Sequence, residues 1–91
     1  MDVFAGDIVF SKAGRDKDRP FVVLEALDAQ YAMLADGRVR RIDKPKKKKI
    51  KHLLKSGHVA SNVQSKLNGN MEVTNRDLKR VLAEFLNEYE A

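Results

Sequence analysis

The sequence predicts a mainly β chain with a helical carboxy-terminal part: a small five-stranded barrel, then a short helix, then an amphipathic helix packed on the barrel. Three observations carry this expectation. Residues 7–53 break into short apolar runs separated by turn residues, too short for convincing helices. The dipeptide Asp36-Gly37 stands between two of these runs and favours the tight type I′ turn of a β-hairpin. Further along the period changes, and Leu78, Val81, Leu82, Phe85, Leu86 and Tyr89 fall on one continuous helical stripe.

The elements follow in order. Residues 7–11 alternate Ile8 and Phe10 against Val9 and form the first strand. Residues 12–19 make a polar turn containing Gly14, residues 21–27 a second strand, residues 28–30 a turn and residues 31–35 a third strand. After Asp36-Gly37 the return strand begins at residues 39–42. Val39 and Ile42 would point to opposite faces of a flat strand, so a bulge or sharp bend is expected there if both are to reach the core. Ile50 and Leu53 repeat that spacing after Pro45, consistent with a short helical turn leading into a last strand or with another bulge.

From Ser56 onward the character becomes helical. Ser61-Asn62-Val63-Gln64 has the form of a capping box, with Val59, Val63 and Leu67 on one face and Asn68-Gly69 as the stop. The last helix, residues 74–90, takes Thr74 as N-cap and Asp77 as its reciprocal partner, with Val73 and Leu78 as a hydrophobic staple. The division is therefore a barrel over residues 1–56 and a helical extension over residues 57–91 sharing one core, a single domain overall.

Composition excludes more than it identifies. The 91 residues carry 18 Lys+Arg and 13 Asp+Glu, a formal charge of +5, and no cysteine, so disulfides, thiolate metal sites and Cys nucleophiles are ruled out. A chain this short has one core and little room for a deep substrate cavity, and an enzyme is not expected. Asp7, Asp16, Asp28 and Asp36 read as turn or strand-edge residues, not as a general acid/base pair, so no catalytic residue is assigned. His52 and His58 lack surrounding carboxylates and make a poor metal site; no metal or cofactor is expected. No apolar run approaches the roughly 18 residues of a membrane span, and the amino-terminal residues lack the pattern of a secretory signal. The expectation is a cytoplasmic protein with no membrane association, monomeric when free.

The charge is concentrated. Residues 38–55 hold ten basic side chains against Asp43 alone, a balance of +9, whereas residues 1–37 balance at −3, residues 56–71 at +1 and residues 72–91 at −2. The ten are Arg38, Arg40, Arg41, Lys44, Lys46, Lys47, Lys48, Lys49, Lys51 and Lys55. Adjacent lysines repel by roughly 1 kcal/mol per near pair in water, so a run of them points to neutralisation by a polyanion. A phosphate backbone does this with counterion release as the driving term. The competing readings are a solvated charge run and, for residues 45–51, a nuclear-import tag. With four Phe, two Tyr and no Trp, and with Phe10, Phe21, Phe85 and Tyr89 at positions that want to be core, only Phe4 and Tyr31 remain for base stacking. That balance favours phosphate and shape recognition of structured RNA over a base-by-base code.

A second candidate is the loop at residues 12–19. Gly14 supplies a positive φ for the turn, and Lys12, Arg15, Lys17 and Arg19 would cluster at one end of the barrel. The stretch from Phe4 to about Gln30, with Gly14 in its turn, resembles the KOW motif. Together, GDIVFSKAGRDK at residues 6–17 and DGRVRRIDKPKKKKIKHL at residues 36–53 resemble bacterial KOW-domain RNA-binding proteins, which are similar to the amino-terminal barrel of an archaeal and eukaryotic large-subunit ribosomal protein family.

The resemblance implies an SH3-like barrel that binds ribosomal or ribosome-associated RNA. It makes Gly14 the motif glycine, places Lys12, Arg15 and Lys17 in its turn, and matches Arg40, Arg41, Lys46, Lys47, Lys48, Lys49 and His52 to basic and histidine positions. For His52 itself, packing or a backbone hydrogen bond stands beside a phosphate contact. One departure concerns the turn: Asp18 stands where family members often have Gly, although Asp tolerates a left-handed backbone better than most residues. Arg38, Lys44 and Lys51 complete the expected RNA-binding set, with Gly14 and Gly37 as turn residues. Two further readings are a KOW-type protein-interaction adaptor that uses the carboxy-terminal helix, and a non-specific DNA binder.

Overall fold

β1 (Asp7–Ser11) is apolar on both sides, and this shapes the rest of the molecule. A computed structural model describes residues 2–89. β1 is followed by β2 (Pro20–Ala26), β3 (Tyr31–Ala35), β4 (Lys46–Lys49), a 3₁₀ turn at Ile50–His52 and β5 (Leu53–Val59), then by α1 (Ser61–Asn68) and α2 (Asn75–Tyr89). The five strands form one antiparallel sheet in the order β4-β3-β2-β1-β5, so β1 and β2 are central and β4 and β5 are edges.

Register divides the apolar residues between two faces. Ile8 pairs with Val22 and Val22 with Ala35, and these three share one buried cluster with Val63 of α1 and Leu78, Leu82 and Phe85 of α2. Val9 pairs with Phe21 and Val23 with Leu34; together with Ala32 they form the second cluster, to which Val3, Ile50 and Leu53 also belong. Truncating a buried aromatic such as Phe85 to Ala typically costs about 3–5 kcal/mol, enough to threaten a domain of this size.

The first three strands and both helices match the expected elements to within a residue at most ends. The expected fourth strand does not. Residues 38–42 form turns, Val39 is 54% exposed, and only Ile42 packs against the core. The strand that pairs with β3 is the lysine run Lys46–Lys49 itself. Asp36-Gly37 accordingly opens a long loop to residue 45 and makes no tight hairpin. The bend expected in that strand is absent too; the register shifts lie between Val23 and Glu25 on β2, and between Asp7 and Val9 in the β1/β5 pairing. At the second, the Ser56 hydroxyl donates to the Ile8 carbonyl oxygen at 2.6 Å and accepts the His58 N–H at 3.0 Å.

Of the two readings of residues 50–53, the helical turn is the one adopted. The switch to helix comes later than expected, because β5 runs on to Val59, and Val59 is 45% exposed on a strand. Ser61 is inside α1 and caps nothing: Ala60 holds the N-cap position, and the Gln64 side chain donates to the Ala5 carbonyl oxygen at 3.0 Å. α2 carries the reciprocal box. The Thr74 N–H donates to Asp77 Oδ2 at 3.0 Å, the Asp77 N–H donates to Thr74 Oγ1 at 3.1 Å, and Val73 shares the buried cluster with Leu78 as the staple requires. The Asp77 carboxyl is held below its ordinary value of 3.8, first by the Thr74 backbone N–H and then by Lys66, whose Nζ lies 3.1 Å away. On the stripe of α2, Leu78, Leu82 and Phe85 are buried, but Tyr89 is 54% exposed and not core as expected; Glu90 lies outside the described residues.

Candidate nucleic-acid interface

The arginine-rich start of the basic segment is folded around two carboxylates. Asp36 Oδ1 accepts the backbone N–H groups of Arg38 and Arg40, both at 2.9 Å, while the Asp36 and Gly37 N–H groups donate to the Arg40 carbonyl oxygen at 2.9 and 3.1 Å. This closed turn aims the Arg40 guanidinium at Asp16, whose Oδ2 accepts from Nη2 at 3.0 Å and Nε at 3.3 Å. Arg19 Nη2 lies 3.8 Å from Asp36 Oδ2. Asp16 and Asp36 are buried, so a guanidinium facing each offsets the cost of taking the carboxylate out of water. Arg40 is thereby engaged within the chain by Asp16, and Arg19 faces Asp36. Arg41 lies 4.0 Å from Asp43 with both side chains exposed, a contact worth little.

The turn is locked to α2. The Ile42 N–H donates to Asn75 Oδ1 at 2.7 Å, and a side chain at Gly37, where φ is +81°, would run into the Asn75 carbonyl oxygen. Gly37 therefore serves a close approach between loop and helix.

The glycine loop closes on itself at residues 11–19. The Asp18 N–H donates to the Ser11 carbonyl oxygen at 2.7 Å, the Arg19 N–H to Asp16 at 3.0 Å, and the Ser11 hydroxyl to the Ala13 carbonyl oxygen at 3.0 Å. Gly14 has φ +79° and Asp18 φ +69°, so Asp18 does adopt the left-handed backbone in question there. Lys12, Arg15 and Lys17 are exposed on this loop.

β4 joins the two candidates. Cross-strand partners share a face, so Lys46 and Lys48, opposite Leu34 and Ala32, stand on the side of the second buried cluster and are half-buried. Lys48 Nζ donates to the Ala13 carbonyl oxygen at 2.8 Å, beside Gly14. Lys47 and Lys49, opposite Met33 and Tyr31, are exposed on the other face. Lys47 Nζ sits 4.6 Å from the Tyr31 ring centroid, a cation–π contact worth about 0.5–1 kcal/mol at an exposed site. Next to it a shallow groove of about 300 Å³ is lined by Ala29, Gln30, Tyr31, Lys49, Ile50 and Lys51.

Two contacts, Lys48 to Ala13 and Arg40 to Asp16, therefore bring the glycine loop, the arginine turn and the lysine strand together. Among the described residues, no ion pair engages Lys12, Arg15, Lys17, Arg38, Lys44, Lys46, Lys47, Lys49 or Lys51. His52 is half-buried, and its carbonyl oxygen accepts the Lys12 N–H at 2.8 Å. Lys55 turns elsewhere, 3.6 Å from Asp7 Oδ2 and 3.0 Å from the Asp2 carbonyl oxygen. Sequence reasoning missed Asp16, Asp36 and Asn75 as organisers of the site. Asp36-Gly37 was the available signal, pointing to a turn but not to the carboxylate's two backbone partners.

The chain matches no family model and no curated protein.

Proposed function

We propose that the chain is an RNA-binding module, a KOW-type protein with an SH3-like barrel, that docks on structured ribosomal or ribosome-associated RNA mainly through phosphate contacts. It acts in the cytoplasm without catalysis. The observation that carries the reading is the junction of the exposed glycine loop with the lysine strand, which gathers cations from two distant stretches of sequence. Further support comes from the positive φ of Gly14 and Asp18 and from the meandering strand order. Ammonium groups without carboxylate partners gain most from a polyanion, because binding releases the counterions that neutralise the phosphates.

Titration with a folded RNA and a DNA duplex across a salt series tests this. Affinity for the RNA should fall steeply and log-linearly with salt and exceed that for DNA; a flat salt response defeats the mechanism, and equal affinities favour a non-specific DNA binder.

A second reading, a KOW-type adaptor for a protein partner in transcription or translation machinery, is favoured by one feature. Leu54 and Tyr89 are each 54% exposed, and both line a shallow groove with Phe10 beside α2. Loss of a protein partner on L54S/Y89S substitution, with RNA binding kept, would support it.

A further inference from the structure

We infer that the groove beside Tyr31 is a stacking site for one unpaired nucleobase of the bound RNA, with the adjoining phosphates held by Lys49 and Lys51; the inference rests on the RNA-binding reading above. Two aromatic residues, Phe4 and Tyr31, stand apart from the packed ones and each has a lysine over its ring, but Lys55 at Phe4 is already paired with Asp7, whereas among the described residues no ion pair engages the lysines around Tyr31. Phe21 is buried in the sheet, and Phe10, Phe85 and Tyr89 pack on one another with centroid separations of 5.2–5.8 Å. Tyr31 stands half-exposed on the outward face of β3, opposite Lys49 and with Lys47 over its ring.

The walls of the groove are fixed by hydrogen bonds. Asp28 Oδ1 accepts the N–H groups of Gln30 and Tyr31, both at 2.8 Å, and the Gln30 carbonyl oxygen accepts the Ile50 N–H, also at 2.8 Å. The loop that carries one wall is thus tied to the 3₁₀ turn that carries the other, and little ordering remains to oppose binding. The volume of about 300 Å³ lies at the lower end of the range for small-molecule pockets, too small for a large ligand.

Charge selects the occupant. An aromatic ring ringed by Lys47, Lys49 and Lys51 suits a flat, π-rich group attached to phosphates, which is a nucleotide in a strand. The exposed cation–π contact is weaker than a base stack, so an entering base displaces the Lys47 ammonium, which then meets a phosphate. Stacking tolerates any base and adds a preference for unpaired nucleotides without a sequence code.

The test compares two RNA duplexes, one perfect and one carrying a single unpaired nucleotide. The chain has two tyrosines and no tryptophan, so Tyr89→Phe leaves Tyr31 as the sole tyrosine emitter. In that background the bulged duplex should quench the tyrosine emission and bind about tenfold more tightly than the perfect one, which should leave the emission unchanged. Tyr31→Ala should abolish the preference while changing affinity for the perfect duplex less than about twofold. Tyr31→Phe should keep the preference, and Tyr31→Leu, which preserves apolar bulk on β3, should lose it. Absent quenching, or a Tyr31→Leu variant that keeps the preference or loses affinity equally for both duplexes, overturns the stacking site and leaves the RNA reading standing. Failure to bind either duplex overturns both.

Discussion

The two halves of the basic segment use their charge in opposite ways. In the first, Arg40 is held by a buried Asp16 and its own turn is closed by Asp36; in the second, Lys47 and Lys49 stand on a sheet edge with no carboxylate paired to them among the described residues. The difference follows from side-chain chemistry. A guanidinium is planar and weakly hydrated and can direct two N–H groups at one carboxylate, which suits it to a fixed internal contact. An ammonium is compact and strongly hydrated and is easily kept in water, ready for an external anion. The segment's balance of +9 thus overstates the charge it offers to a partner, because its arginine end is partly engaged in holding the loop.

If the arginine half is structural, breaking it should reduce stability first. The largest effect is expected at Gly37. Gly37→Ala combines a left-handed backbone with a collision against the Asn75 carbonyl oxygen, and should cost about 3 kcal/mol or more in a denaturant melt. A cost under about 1 kcal/mol would show that the loop is not fixed against α2. Arg40→Ala leaves the buried Asp16 carboxylate without its guanidinium and should cost about 1–3 kcal/mol. In the double variant with Asp16→Asn part of that loss should return, since no unpaired charge remains; an additive loss would argue against the pair.

A smaller effect tests the anchor of the helix against which the arginine half closes. Thr74→Ala removes the cap of α2 and should cost about 1 kcal/mol. Because the folded-state pKa of Asp77 lies below 3.8, the unfolded chain takes up this proton first as pH falls. Its contribution is fully present above the ordinary carboxyl value and is lost as pH drops through the folded value. Asp77→Asn should therefore flatten the acid limb of a stability–pH profile and leave its shape near neutrality unchanged.

The legible and illegible parts of the chain separate along the same line. β1, β3 and α2 were readable because apolar residues recur at the strand or helix period, and the box at Thr74 and Asp77 was readable because it is a local pattern. β4 was not. It alternates half-buried and exposed, but all four of its residues are lysine, so composition carries no trace of the period. The apolar Val39 and Ile42 drew the strand to the wrong place, although the chain there is held by Asp36 and Asn75 through backbone hydrogen bonds that no periodicity encodes. The same holds for the candidate site: the concentration of lysines is legible in the sequence, but its junction with the glycine loop depends on contacts such as Lys48 to Ala13, between residues far apart in sequence.

The smallest stability effect is the most direct test of the lysine half. Lys47→Ala and Lys49→Ala remove exposed ammonium groups that no carboxylate pairs among the described residues, and each should change stability by less than about 0.5 kcal/mol. If these groups meet phosphates, each substitution should lower RNA affinity whatever the sequence and should reduce the slope of log affinity against log salt by about 0.7–0.9. Arg40→Ala should behave in the converse way, with a lower melting temperature and an almost unchanged slope, because its charge is already matched by Asp16. A lysine variant that melts early, or an arginine variant that alone removes a full phosphate's worth of salt dependence, would reverse the assignment of the two halves.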